Sequence, residues 1–504
     1  MRFFISADVG TQGTKAAVID EKGGIRASAF RAARLIRSGG GSVEQHPEDL
    51  FRETAEAVKE ALARADIPAE QIAALALDGQ MAGILGIDKD WNPVTPYDSW
   101  LDTRCASVIP EIKAWGEEEL IAITGCPVTY AHGPKLLWWK KERPDVYRQA
   151  AKFIVPAVYV AGRLAGLKAE DAFIDHTYLH FTGFADTQAG EWSDTLLHAF
   201  GMEQSKLPRI VQPWDLIGAV TPESAALTGL PAGTPIAAGC GDTAACALGA
   251  GLVVPGRLLD VAGTASVLAC CVDRYAPDSE HKTLLYARSV LPGLFTPLAY
   301  IGGGGECIDW YRRLAGGSSE AEAGYAGLNR EGELAEPGSG GLLFIPHFGG
   351  RACPNDNRMQ GGWLGLHRGH SRGALYRAIL ESVAYEYAGY LRILERTAGP
   401  QAWTETVAVG GGTASALFNR IKADVLGLPY ITLRNQETAL TANALIAGFA
   451  VGSVNDLAEA AQKQAVRRNE YRPDPGLKER YAAYAARYHT AVTGLSALYE
   501  KLEL

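Results

Sequence analysis

Several absences narrow the field first. The chain has no Gly-x-x-x-x-Gly-Lys-Ser/Thr loop and no His-Arg-Asp or Asp-Phe-Gly element, which removes the P-loop and protein-kinase routes to phosphate chemistry. No Gly-x-Gly-x-x-Gly opens a helix behind a strand, which counts against a dinucleotide-dependent oxidoreductase. Basic blocks are missing: 48 Lys and Arg against 57 Asp and Glu give a formal net charge of −9, so no nucleic-acid partner is expected. The eight cysteines form no Cys-x-x-Cys pair, which argues against zinc and redox sites and reads as buried free thiols in a reducing cytoplasm. No apolar run approaches bilayer-spanning length, so no membrane association is expected. Met1 to Asp8 read as a short strand, too short for a signal-peptide core and closed at once by an acid. His176 and His180 stand four apart like helical metal ligands, yet no neighbouring glutamate completes a hydrolase motif.

What is present is ordinary globular sequence in quantity. With 504 residues, 47% hydrophobic and 21% charged, the chain is too long for one core and predicts two large domains or more. Phe3 to Ala7 is an apolar strand, followed by the Gly-rich turn Asp8-Val9-Gly10-Thr11-Gln12-Gly13-Thr14 and a second strand, Lys15 to Asp20. A turn at Glu21 to Gly24 leads into a third. Residues 47–65 have helical periodicity, with Pro47 near the start and Leu50, Phe51, Ala55, Val58 and Leu62 on one side. Ile72 to Leu77 then reads as a buried strand, and this alternation predicts an α/β layer structure. From Thr234 the pattern resumes: a strand into Gly239-Cys240-Gly241-Asp242-Thr243, a small-residue helix from Ala244 to Gly251, and Arg257 to Ala269. Asp260-Val261-Ala262-Gly263-Thr264 echoes Asp8-Val9-Gly10-Thr11 at a distance of about 250 residues, a repeat that points to two related lobes.

Four segments could carry chemistry. Glycines in the Asp8–Thr14 turn let backbone N–H groups face an anion, Thr11 and Thr14 add hydroxyls, and a carboxylate beside a phosphate makes sense with Mg²⁺ between them. Asp260 to Thr264 would supply a second phosphate-facing hairpin. Val407-Ala408-Val409-Gly410-Gly411-Gly412-Thr413 ends a strand in glycines before a helix, which permits close approach of a flat or anionic ligand. Asp242, an acid between glycine and threonine at a strand end, suits a catalytic base for phosphoryl transfer. Each has a plain structural alternative: ligand-free turns for the hairpins, αβ packing for Gly410 to Gly412, and a helix N-cap for Asp242.

Taken in order and spacing, these residues resemble the FGGY carbohydrate kinases, in the superfamily of actin, hexokinase and the heat-shock chaperone ATPases, with most similarity to the xylulokinases. The resemblance runs nearly the whole chain. It rests on Asp8 to Lys15, Asp78-Gly79-Gln80-Met81-Ala82-Gly83, Trp100-Leu101-Asp102-Thr103-Arg104, Pro134 to Trp138, Trp192-Ser193-Asp194, Gly241-Asp242, Phe344 to Arg351, Gly361 to Leu366 and Gly410 to Gly412. It implies an α/β fold of two actin-like (ribonuclease H-like) lobes, residues 1–246 and 247–504, with a central nucleotide and sugar cleft that closes on substrates. It implies a cytoplasmic, ATP- and Mg²⁺-dependent kinase for a small sugar and, by family habit, a homodimer. Asp242 would be the general base and Asp8 would help hold Mg²⁺. Thr11, Gln12, Thr14, Gly263 and Thr264 would line the phosphates, Gly303 and Gly304 the nucleotide cleft, and Gly410, Gly411 and Gly412 the adenosine. Gln80, Met81, Asp102 and Arg104 would lie near the sugar.

Three positions depart from the xylulokinase pattern: Ala82 replaces a histidine, Thr243 an asparagine, and Gly350-Arg351-Ala352-Cys353-Pro354 a Gly-Glu-Arg-Thr-Pro element. The first two contact sugar hydroxyls in xylulokinases, and lost hydrogen-bond partners weaken recognition. A pentulose such as D-xylulose leads, with another ketose, a polyol or a sugar acid as alternatives. A non-catalytic actin-like or chaperone-like nucleotide-binding protein is the competing class, against which Asp242 and the sugar-loop match stand.

Overall fold

A computed structural model describes residues 2–315 and 324–502 of the chain; Met1, which the sequence reading placed at the head of the first strand, lies outside the described residues. Three strands open the chain: β1 (Phe3–Val9), β2 (Gly13–Asp20) and β3 (Ile25–Ala32), joined antiparallel in that order. β1 is buried along almost its whole length, which is why it reads as an apolar run rather than an alternation. The turn into β2 works because Gly13 takes φ +149 with its α-carbon against β3: a β-carbon there would meet the carbonyl of Arg31 at 2.0 Å.

Helix α1 (Pro47–Ala65) follows, with Pro47 in its first turn, Glu48 and Asp49 beside it and Arg64 in the last turn, charges that complement the helix dipole. It carries the chain across to β4 (Ile72–Gly79), which pairs parallel to β1 and sets Asp78 opposite Asp8. β5 (Leu216–Ala219), β6 (Pro235–Ala237) and β7 (Cys240–Gly241) complete a sheet ordered β5-β6-β4-β1-β2-β3, with β7 also paired to β4. Helix α2 (Asp242–Gly249) leaves directly from β7.

This sheet is covered on both faces. Phe3, Ile5, Ala7 and Val9 of β1 pack with Leu50, Val58 and Leu62 of α1. Phe4 points the other way, into a layer with Leu248 of α2 and Leu440, Leu445 and Ile446 of the helix Thr438–Ala450. The first compact unit therefore consists of Met1–Val253, Tyr286–Thr296 and Glu437–Ala465. It includes residues 247–253, Tyr286–Thr296 and Glu437–Ala465, which the sequence reading assigned to the C-terminal lobe.

The second unit, Val254–Leu285, Pro297–Gln436 and Val466–Leu504, repeats the plan. β8 (Arg257–Ala262) and β9 (Ser266–Cys270) form the second hairpin, and β10 (Phe295–Ile301) adds antiparallel to β9. After the long helix Arg372–Ala398, β11 (Glu405–Val409) pairs parallel to β8. β12 (Tyr430–Leu433) pairs parallel to β11, and β13 (Arg467–Tyr471) closes the edge antiparallel. Six of the seven strands of this sheet, in the order β10-β9-β8-β11-β12-β13, match β3-β2-β1-β4-β6-β5. All eight cysteines are free and seven are buried.

Candidate active site

In the first unit, the carboxyl ends of β1, β4 and β7 bring three carboxylates together. Asp78 is wholly buried, and Asp8 and Asp242 are half-buried beside it. Asp78 Oδ2 accepts from Asn443 Nδ2 at 2.6 Å. Burial and the negative charges of Asp8 and Asp242 hold the Asp78 carboxyl well above its ordinary range. Asp8 is raised by burial, although a hydrogen bond with Asp78 and the charge of Lys15 act the other way. Burial and the Asp8 charge push Asp242 up to about 7.

Asp242 is the first residue of α2, and the helix cap is Gly241, with no side-chain capping bond. The carboxylate instead accepts from Thr243 N at 2.6 Å and Thr243 Oγ1 at 3.1 Å. Thr243 thus commits its hydroxyl to the neighbouring acid.

The Asp8–Thr14 turn and the Asp78–Gly83 loop are tied to each other. Trp100 Nε1 donates to Thr11 Oγ1 at 2.9 Å, Thr11 Oγ1 donates to Gln80 Oε1 at 3.1 Å, and Gln80 Nε2 donates to Gln45 Oε1 at 2.8 Å. The backbone N–H of Gln80 donates to Val9 O at 3.1 Å. Gln12 is exposed. The Met81 side chain lies so close to Gly241 that a β-carbon there would meet its Cε at 2.7 Å. Ala82, at the departure from the family pattern, takes the left-handed φ of 63.

Other expected residues are engaged elsewhere. Thr14 is buried and its hydroxyl meets Thr54 Oγ1 of α1 at 3.3 Å, a packing contact rather than a group facing an anion. Asp102 accepts from Val43 N at 2.9 Å and from Arg104 Nε at 2.9 Å. Glu44, Asp98 and Asp102 form an acidic cluster, but Arg104 already supplies its cation, at 2.8, 2.7 and 2.8 Å from the three. Sequence reasoning passed over Asp78 and Lys15 as functional groups. Lys15 stands opposite Asp8 in the β1–β2 register and pairs with Glu437. The acid at the end of β4, level with Asp8, was the readable signal for Asp78.

In the second unit, two glycine segments converge on the β8–β9 hairpin, whose own turn carries Gly263. Gly263 N donates to Ala265 O at 3.1 Å, and the exposed Thr264 accepts from the N–H groups of Gly305 and Glu306 at 2.9 and 3.0 Å. The helix Gly304–Leu314 can start there only because it starts in glycine: β-carbons at Gly304 and Gly305 would meet Ser266 Oγ at 2.1 Å and Gly263 O at 2.0 Å. Gly303 is buried behind them. Gly410 and Gly412 pack on Ala262, while a β-carbon at Gly411 would meet nothing within 4 Å. Asp260 is enclosed: it pairs with the buried Lys422 and accepts from Tyr387 and Tyr430.

Comparison with known proteins decides the family. The description "FGGY family of carbohydrate kinases" fits residues 3–249 as its N-terminal domain and 261–451 as its C-terminal domain. The chain belongs to the FGGY carbohydrate kinases. It is an α/β protein with two mixed-sheet, actin-like lobes and an ATP-dependent phosphotransferase with an alcohol acceptor. The xylulose kinase of Bacillus subtilis is 27% identical over 92% of this chain and 91% of its own. A ligand-bound xylulose kinase from Lactobacillus acidophilus superposes with a TM-score of 0.92 at 25% identity, covering 100% of both chains. A gluconate kinase from the same organism gives 0.91 at 25% identity, over 99% of each. Among the described residues, no helix is long and apolar enough to cross a membrane.

Proposed function

We propose that this kinase phosphorylates a small neutral sugar, with a pentulose such as D-xylulose the leading substrate, and that Asp242 is its general base. The observation that carries the reading is the carboxylate group at the ends of β1, β4 and β7. A base pushed up to about 7 is matched to taking a proton from an attacking hydroxyl near neutral pH. Gln80 and Met81, fixed beside Gly241 and the phosphate turn, are placed to orient that hydroxyl for in-line transfer. Thr11, Gln12, Gly263, Thr264, Gly303, Gly304 and Gly410 to Gly412 would receive the nucleotide on their own units.

The first unit fits a divalent cation. Asp8 stands opposite Asp78 with the Asp242 charge close by, an all-oxygen, acidic donor set that suits a hard cation, so Asp8, directly or through water, with Asp78 behind it, would hold Mg²⁺. When bound, the ion supplies neutralising charge to the phosphate chain.

Charge supports a neutral acceptor over a sugar acid. The acids around Asp242 are Asp8 and Asp78, Arg104 is held by three carboxylates, and Lys15 is paired with Glu437. A sugar carboxylate would add negative charge to this surround. Ala82 and the self-engaged Thr243 leave other ketoses and polyols in play. The test is ADP release with MgATP and a panel of D-xylulose, D-ribulose, glycerol and D-gluconate. Neutral acceptors should turn over fastest, and D-gluconate as the best acceptor would overturn the neutral-substrate reading. Asp242→Asn should lower kcat by about 100-fold or more, with ATP binding retained; full turnover in that variant would overturn the base assignment.

A further inference from the structure

The segment Asp175 to Tyr178 belongs to none of the motifs that carry the family resemblance, yet it is bonded to two of them. Asp175 Oδ1 accepts from Thr177 N at 2.9 Å and from Thr177 Oγ1 at 2.6 Å. With its proton committed to that carboxylate, the Thr177 oxygen accepts the N–H of Gly241 at 3.0 Å. Next along the chain, the Tyr178 hydroxyl shares its proton between Gly79 O at 3.1 Å and Cys240 O at 3.2 Å. All three side chains are buried. Gly79 leads into Gln80 and Met81, and Cys240 and Gly241 lead into Asp242, so this segment spans the roots of the sugar loop and of the base.

The direction of each bond matters. Gly241 is in extended backbone (φ −68, ψ 146) immediately before α2, and the helix gives its N–H no acceptor. Thr177 supplies one, and the bond polarised by Asp175 is stiffer than that of a lone hydroxyl. Met81 packs where a β-carbon of Gly241 would stand. The Cys240–Gly241 peptide, one residue before Asp242, is thereby held through both its N–H and its carbonyl.

We propose that Thr177, set by Asp175, is a positioning residue for Asp242, and that Tyr178 keeps the sugar loop in register with it. This rests on the general-base reading of Asp242 above. An aim error of about an ångström can cost on the order of 100-fold in rate while leaving binding intact. Thr177→Val keeps shape and removes the acceptor, Thr177→Ser keeps the acceptor, and Tyr178→Phe removes the bridge between strand ends.

The full-length variants are assayed by ADP release with MgATP and D-xylulose, or the panel's best acceptor, well below their melting temperatures. Asp242→Asn is run in parallel. Thr177→Val should lower kcat by about 10- to 100-fold, with KM for both substrates within about threefold. Thr177→Ser should restore most of the rate, and Tyr178→Phe should lower kcat less. If Thr177→Val does not fold, the contrast between Thr177→Ser and Tyr178→Phe still decides: a folded Tyr178→Phe enzyme with wild-type kcat overturns the proposal. So does a folded Thr177→Val enzyme with wild-type kcat, or a loss that Ser fails to restore. If Asp242→Asn keeps its turnover, the base reading itself falls; if Asp242→Asn collapses while Thr177→Val does not, only the positioning role falls.

Discussion

The two hairpin tips, Asp8 to Thr14 and Asp260 to Ser266, occupy the same place in sheets of the same order, and their acids meet opposite surroundings. Asp8 faces Asp78 across the parallel pair to β4, with Asp242 close by. Asp260 faces Ala408 across the equivalent pair to β11, and its charge is met by Lys422 and two tyrosine hydroxyls. One copy of the repeat is a closed ion pair, while the other gathers three acids at one strand end. An acid enclosed with its own cation has no capacity left for a ligand, whereas a cluster of acids is stabilised by an incoming cation. The repeat therefore supplies the same scaffold twice, and the neighbour in the adjacent strand decides whether its acid serves structure or chemistry.

Exchanging charge for amide at the two acids should give opposite results, and this is the largest expected effect. Asp260→Asn leaves Lys422 buried beside a neutral partner, which costs about 3–5 kcal/mol and should lower the melting temperature by roughly 10 °C. Asp8→Asn removes a like charge from the Asp78 pair, so the melting temperature should hold or rise while turnover falls by about 100-fold or more. Scanning calorimetry and ADP release on both variants check the contrast, which breaks if Asp8→Asn is the less stable of the two.

A second effect separates the regions by pH. In the folded chain Asp242 lies at about 7 against an ordinary 3.8, and Asp8 and Asp78 are raised as well. Between those values the folded protein keeps protons that the unfolded chain has released, so this contribution to stability is present at low pH and is lost as pH rises through the folded value. EDTA-treated protein should lose roughly 5 °C more in melting temperature than Asp242→Asn between about pH 5 and about pH 8. Added Mg²⁺ should reverse the loss at the upper end. A wild-type slope equal to that of Asp242→Asn would show that the acid cluster is already compensated.

The smallest effect concerns the turns. Ala at Gly13 would drive a β-carbon into the Arg31 carbonyl at 2.0 Å, while at Gly263 the nearest atom is Ala265 O at 3.3 Å. Gly13→Ala should lower the melting temperature by several degrees, and Gly263→Ala should cost about 0.5 kcal/mol or less. Equal costs would mean that the two tips are packed alike.

Much of this arrangement could be read from local pattern. Turn glycines, apolar runs and the periodicity of residues 47–65 located β1 to β3, α1, β4 and the second hairpin, because those signals act over a few residues. The repeat of Asp-Val-Gly-Thr and Asp-Val-Ala-Gly-Thr pointed to two related lobes, and the strand orders bear it out. The site was less legible. Thr14 looked like a phosphate contact beside Thr11, but alternation along β2 turns it toward Thr54 of α1. Arg104 was expected near the sugar, but nothing in the local pattern showed that Glu44, Asp98 and Asp102 gather around it.

The order of residues along the chain was enough to determine the elements, their pairing within each hairpin and the family chemistry, since propensity, turn residues and motif spacing are local. Only the tertiary structure decided which acids are compensated. Asp260 and Lys422 are 162 positions apart, Lys15 and Glu437 are 422 apart, and Asp78 and Asn443 are 365 apart. Charge compensation depends on distance in space and on burial, and neither is written in the spacing of a sequence.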